Sequence, residues 1–204
     1  PDAILSIDTY HAAVAREAVA AGASLVNDIS AGLLDPQMIP EVARLNVPYI
    51  LMHMKGNPQT MQQQANYRDV TKEVLEHLMF RKAAAEDAGI RDIIIDPGFG
   101  FGKTAAHNFR MLKELKHFSL LNAPLLLGIS RKTFIWKTLD VTPDSEAALQ
   151  GTTALHMAGL INGAQLLRVH DVAEAVAAVR LYEEMKKKKK SPGWLTGADF
   201  IKTL

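Results

Sequence analysis

Six short apolar runs, each ending on polar or charged residues and separated by stretches of helical spacing, constrain this chain more than any other feature. In the strongest instance, residues 93–103, three isoleucines stop at Asp96, and Gly98, Gly100 and Gly102 then alternate with Phe99, Phe101 and Lys103. Consecutive β-branched residues suit a strand covered on both faces, as in a parallel sheet. The glycines accept torsions that side chains forbid and let backbone come close to a ligand. The same grammar recurs at 3–7 before Asp8, 24–26 before Asn27 and Asp28, 47–52 before His53, 124–127 before 128–132, and 164–167 before Arg168 and His170. Helical spacing fills 11–21, 36–45, 69–88, 107–118, 145–162 and 171–186. Strands alternating with helices predict right-handed parallel βαβ units. If the strands close into a barrel, their carboxyl ends and the loops after them surround one cavity. An open six-stranded doubly wound sheet shares this alternation and stays an alternative.

With 204 residues, 48% of them hydrophobic, the chain can bury one substantial core. The expected organisation is one domain over 1–186 and a lysine-rich tail over 187–204. There is no cysteine, which removes disulfides and thiolate metal sites and fits a reducing compartment. No apolar run approaches the roughly 18 residues that span a bilayer, and no charged-then-apolar leader precedes the first strand. The expectation is a cytoplasmic protein without a membrane partner. The formal charge of +1 includes five lysines at 186–190; without them 18 basic residues face 22 acidic ones. A mildly acidic body argues against a nucleic-acid partner, and the lysines read as the cationic end of the last helix running into a solvated tail.

Asp8, Asn27 and Asp96 come from different strand ends, and a barrel would aim all three at one cavity. A carboxylate accepts two parallel N–H bonds and a carboxamide donates and accepts together, so the set suits a planar, donor-rich heterocycle such as a 2-amino-4-oxo pyrimidine edge. Singly, each reads equally well as a buried polar group satisfied by backbone. Lys132, Arg168 and His170 bring the opposite sign and suit a phosphorylated group. Arg131 points the other way and reads as a structural ion pair. Donors fixed in advance stabilise a departing pyrophosphate, so the chemistry implied is displacement at carbon with a phosphate leaving group. His53 has no second ligand at zinc spacing and reads as a pocket-wall histidine. Ser130 lacks a nucleophile elbow. Lys103 and Thr104 copy the end of a phosphate-binding Walker loop, but the first glycine of that pattern would stand where Pro97 does.

Together these strings resemble the dihydropteroate synthase family, pterin-binding transferases of folate biosynthesis. They are Ser6 to Thr9, Asn27 to Ile29, Leu51 to Met54 with Gly56, Asn57 and Pro58, Asp96 to Lys103, Gly128 to Lys132, and Arg168 to Asp171, in family order. The resemblance implies a (β/α)8 TIM barrel, of which six βα units, strands three to eight, would be present. It implies condensation of 6-hydroxymethyl-7,8-dihydropterin pyrophosphate with p-aminobenzoate to 7,8-dihydropteroate and pyrophosphate, with Mg2+ as cofactor, sulfonamides as inhibitors and a homodimer. By the same resemblance Asp8, Asn27, Asp96 and Lys132 hold the pterin with Met52 on its ring, Arg168 and His170 hold the diphosphate, and Phe101, Ser130 and Lys132 border p-aminobenzoate. Lys132, Arg168 and Asp96 would carry the catalytic contacts.

The family's Asn-containing first-strand string, which binds Mg2+, and its second-strand Ser/Thr-Arg-Pro loop have no counterpart before Pro1. Residues 142–145 copy part of that wording ahead of a helix rather than after a strand. No metal ligand is therefore assigned in this chain. The resemblance implies pterin contacts more directly than turnover by this chain alone. A pterin-binding methyltransferase domain and a non-catalytic pterin-binding fragment are the alternatives.

Overall fold

A computed structural model describes residues 3–187; Lys188 to Lys190 and the rest of the expected tail lie outside the described residues. Six strands, β1 Ser6–Asp8, β2 Leu25–Asp28, β3 Tyr49–Met52, β4 Ile93–Asp96, β5 Leu126–Leu127 and β6 Leu166–Leu167, alternate with seven α-helices among those residues. The helices are α1 Ala12–Ala20, α2 Met38–Leu45, α3 Val70–Asp87, α4 Ala105–Lys113, α5 Thr133–Thr138, α6 Glu146–Ile161 and α7 Val172–Lys186. All pairing is parallel. β1 to β4 form one sheet in sequence order, β5 pairs with β6, and a bridge from Ile95 to Leu125 links the two pieces.

This order never reverses, whereas a doubly wound sheet has a switch point where it does. Each helix from α1 to α7 packs on the next one along the chain. The layer also curls. Five steps of about 4.8 Å would set β1 and β6 about 24 Å apart in a flat sheet, yet the Arg168 guanidinium after β6 meets the Asp8 carboxylate at the end of β1 at 2.6 Å. Closure is not complete: among the described residues no strand pairs β6 with β1. The structure thus has a parallel α/β fold with six strands among the described residues, curled but not closed into a barrel.

Burial follows from residue type. Tyr49, Leu51, Ile95, Leu127 and Ile129 are fully buried, and every residue of β3 is inside. Gly159 lets α6 lie directly on β5, since a Cβ there would stand 2.1 Å from a Leu127 methyl. Polar caps start the helices: the Asp69 side chain accepts from the Lys72 amide, Thr104 and His107 form a reciprocal box on α4, and Ser145 accepts from Ala148. The expected helix over 107–118 is instead α4 followed by a 3₁₀ helix, Leu115–Leu121. Leu115, Phe118 and Leu121 are buried at threefold spacing, which a three-residue turn superimposes.

Candidate active site

The strands deliver their terminal polar residues to one rim. The Asn27 Nδ2 group donates to one Asp8 oxygen in a short contact, and the other oxygen accepts from Arg168. The Asn27 Oδ1 atom is buried and has no partner among the described residues. An acceptor left this way is costly unless a donor arrives from elsewhere. Met52 is buried and opposite Asp96 in the β3–β4 register.

Asp96 sits at the centre, only 6% exposed. The Gly98 amide donates to its Oδ1 at 2.8 Å. Burial pushes the carboxyl up to about 6, opposed first by that amide and then by the charges of Lys132, Lys103 and Arg168. Gly128 lies beside its second oxygen, where a Cβ would be in ordinary contact with Oδ2 at 3.6 Å. Lys132, at the N-cap of α5, lies with its ammonium 4.3 Å above the Phe101 ring, and burial holds it below the usual lysine range while Asp96 opposes. Ser130 is buried, accepts the His170 amide at 3.1 Å, and lies 2.9 Å from His170 Nδ1.

Every residue singled out in the sequence, Asp8, Asn27, Met52, Asp96, Phe101, Ser130, Lys132, Arg168 and His170, therefore stands at or just beyond a strand's carboxyl end. Direct contacts join Asp8, Asn27 and Arg168, and separately Lys132 with Phe101; the charge of Arg168 reaches Asp96. Ser130 and His170 form a third pair of their own. Arg131 turns away, as its position predicts, and binds Asp171 through two nitrogens, both at 2.8 Å. Asp28 is structural: it accepts from the amides of Ser30 and Gly32, the Ser30 hydroxyl and the Tyr49 hydroxyl, which ties the loop after β2 down.

Two residues escaped sequence reasoning. Lys103, read only as a fragment of a failed phosphate loop, is 4% exposed and lies between loops, 2.9 Å from His53 Nδ1 and donating to the Gly98 and Phe101 carbonyls. Burial brings it down to about 7, with Asp96 opposing. Asn108 accepts the Gly100 amide at 2.8 Å and donates to the Thr104 carbonyl at 2.8 Å, fastening the same loop to α4. A usable signal existed for Lys103, because a cation just before a helix is unfavourable with the dipole and implies another partner.

Among the described residues, no group of three or more His, Asp or Glu could hold a metal ion, and both Asp8 oxygens are engaged. No described helix is long and apolar enough to cross a membrane. A groove of about 1140 Å³ runs beside β6 and under α7 and is lined by none of the residues named for the site.

Residues 2–170 match the family model described as pterin binding enzyme. The chain is 41% identical over 181 residues to the dihydropteroate synthase of Escherichia coli strain K12, covering 88% of this chain and 63% of that relative. It therefore spans a little under two thirds of that relative's length. Its fold is similar to the crystal structure of dihydropteroate synthase from Thermus thermophilus in complex with 4-aminobenzoate, with a TM-score of 0.85, 38% identity, and 89% and 70% of the two chains covered. It is also similar to the Xanthomonas albilineans dihydropteroate synthase in complex with 7,8-dihydropteroate, with a TM-score of 0.83, 40% identity, and 91% and 69% covered.

Proposed function

The chain belongs to the pterin-binding enzyme family, and from that premise we propose that it carries the pterin and p-aminobenzoate sites of a dihydropteroate synthase on strands three to eight of a (β/α)8 barrel. The barrel domain would span 1–186. The observation that carries the reading is the convergence of two buried acceptors, Asp96 and Asn27 Oδ1, with the cations of Lys132 and Arg168 on one rim.

In this reading the 2-amino and ring N–H groups of the pterin donate to Asp96 and Asn27, with Asp8 completing the polar edge, Lys132 above and Met52 against the ring. Arg168 presents five N–H donors and one of its nitrogens engages Asp8, so further donors can face a diphosphate, with His170 beside them. The methylene–oxygen bond then breaks with its electron pair leaving on pyrophosphate, and the pterin delocalises the positive charge. The neutral amine of p-aminobenzoate forms the new carbon–nitrogen bond and gives its proton to solvent; no general base is needed. Ser130, Phe101 and Lys132 border that second substrate, which is also where sulfonamides would compete. The relatives whose structures contain 4-aminobenzoate and 7,8-dihydropteroate support both halves of the assignment.

Magnesium is the family's expected cofactor, but the described residues do not by themselves fit the ion, and no step above is routed through it. A homodimer is supported by the exposed apolar residues Val172, Val176, Leu181 and Met185 on α7. The packed pair of Lys132 and Phe101 favours the synthase over a methyltransferase of the same family, because it builds a wall for an aromatic amine. Titration of p-aminobenzoate in the presence of pyrophosphate tests this. Saturable binding that Lys132→Ala removes, with little change in melting temperature, is the expected result. No binding by a folded chain that still takes a pterin would favour the methyltransferase.

A further inference from the structure

The loop between β4 and α4, fastened to α4 by Asn108 and to Tyr67 through the Gly102 carbonyl, closes around a buried cation. The Lys103 ammonium has three protons and three close acceptors: the Gly98 carbonyl at 2.8 Å, His53 Nδ1 at 2.9 Å and the Phe101 carbonyl at 3.0 Å. The match of number and position leaves no donor unused, and His53 must carry its ring proton on Nε2 to accept. Burial and the adjacent ammonium hold His53 well below the ordinary histidine range, which keeps it neutral and able to accept. Gly98 is therefore grasped at both ends of one residue, its amide on Asp96 and its carbonyl on Lys103. Asp96 stands on a strand and accepts one hydrogen bond from that loop, the Gly98 amide, whereas Phe101 belongs to the loop itself and carries Lys132 on its ring face.

We infer that Lys103 is a positioning residue for the second substrate: it fixes the Phe101 ring, and with it the Lys132 ammonium, against the bound aromatic amine. This rests on the functional reading above, since it names what the loop is positioned for. The charged or titratable groups that face the Lys103 ammonium are Asp96 on β4, Lys132 after β5, His53 after β3, His77 on α3 and His107 on α4.

The test uses the full chain and two variants, Lys103→Met, which fills the space without donors, and Lys103→Arg, which keeps charge but cannot place three donors at one point. Calorimetry measures p-aminobenzoate binding in the presence of pyrophosphate, and separately binding of 6-hydroxymethylpterin pyrophosphate. The expected result is at least a tenfold loss of p-aminobenzoate affinity in both variants, with pterin affinity changed less than threefold. Equal losses for the two ligands, or wild-type affinity for p-aminobenzoate, would overturn the inference. So would failure of both variants to fold, which would make Lys103 a folding residue. If the wild-type chain itself binds neither ligand, the functional reading fails instead, and the two failures are told apart.

Discussion

Asp96 and Lys103 are opposite charges buried near one another, and burial pushes each toward its neutral form. The folded pKa of Asp96, about 6, lies above its ordinary 3.8, so the folded state binds more protons than the unfolded one between those values. Its stabilising contribution is whole below about pH 4 and is lost as pH rises through about 6. Lys103 does the reverse: its folded pKa, about 7, lies below its ordinary 10.5, so stability is regained as pH rises across that interval and lost as pH falls through 7. Urea unfolding across pH should therefore show a decline between pH 4 and 6 that Asp96→Asn removes; an unchanged decline in the variant would show that Asp96 is not its source. The same substitution should weaken pterin binding by about 1.5–3 kcal/mol, the range for a hydrogen bond to a charged group. In the wild type, pterin affinity should fall as pH drops below about 6, where the carboxylate stops being a pure acceptor. The residues of the candidate site were legible because strand ends carry them, and Arg131 was legible by alternation. Lys103 was missed: two of its three partners are backbone carbonyls that no side-chain pattern announces, and only its place just before a helix hinted at them.

At the scale of elements, strand positions could be read and strand lengths could not. The runs at 3–7 and 164–167 shrink to Ser6–Asp8 and Leu166–Leu167 because a run is only a strand where a neighbour pairs with it, and Ile4 and Leu5 are exposed at 81% and 55%. Pro124 has no amide to give and shortens β5. The helix α5 went unread because six residues show too little periodicity. Phe134 and Ile135 on it are nonetheless buried. The loop after β4 is where a glycine is required: Gly98 has φ +69°, and a Cβ there would fall 1.9 Å from the His53 carbonyl oxygen. Gly98→Ala should cost more than about 2 kcal/mol, combining left-handed strain with a backbone clash. A melting temperature within a degree or two of wild type would mean that this loop is not packed against β3.

The whole molecule is a curled parallel layer whose first and last strand ends touch through Asp8 and Arg168, both about half exposed. Such a pair adds less than about 1 kcal/mol, so it reports curvature rather than creating it. Arg168→Ala should thus leave thermal stability nearly unchanged while weakening diphosphate binding at least tenfold; a large loss of stability would give the pair a structural role. Among the described residues, β1 and β6 each pair on one side only, and a groove of about 1140 Å³ runs along β6. Unpaired edges beside apolar surface favour association, so sedimentation should show concentration-dependent oligomers. Whether the layer closes was not readable from sequence, because the alternation that predicts parallel strands is silent on closure. The central claim is that acceptors and cations from separate strands form one pterin diphosphate site, and calorimetry of the 204-residue chain with 6-hydroxymethylpterin pyrophosphate tests it most directly. A single saturable site, lost when Asp96 or Arg168 is replaced, is the predicted result; a folded chain that releases no heat, or binds equally well without both residues, would contradict it.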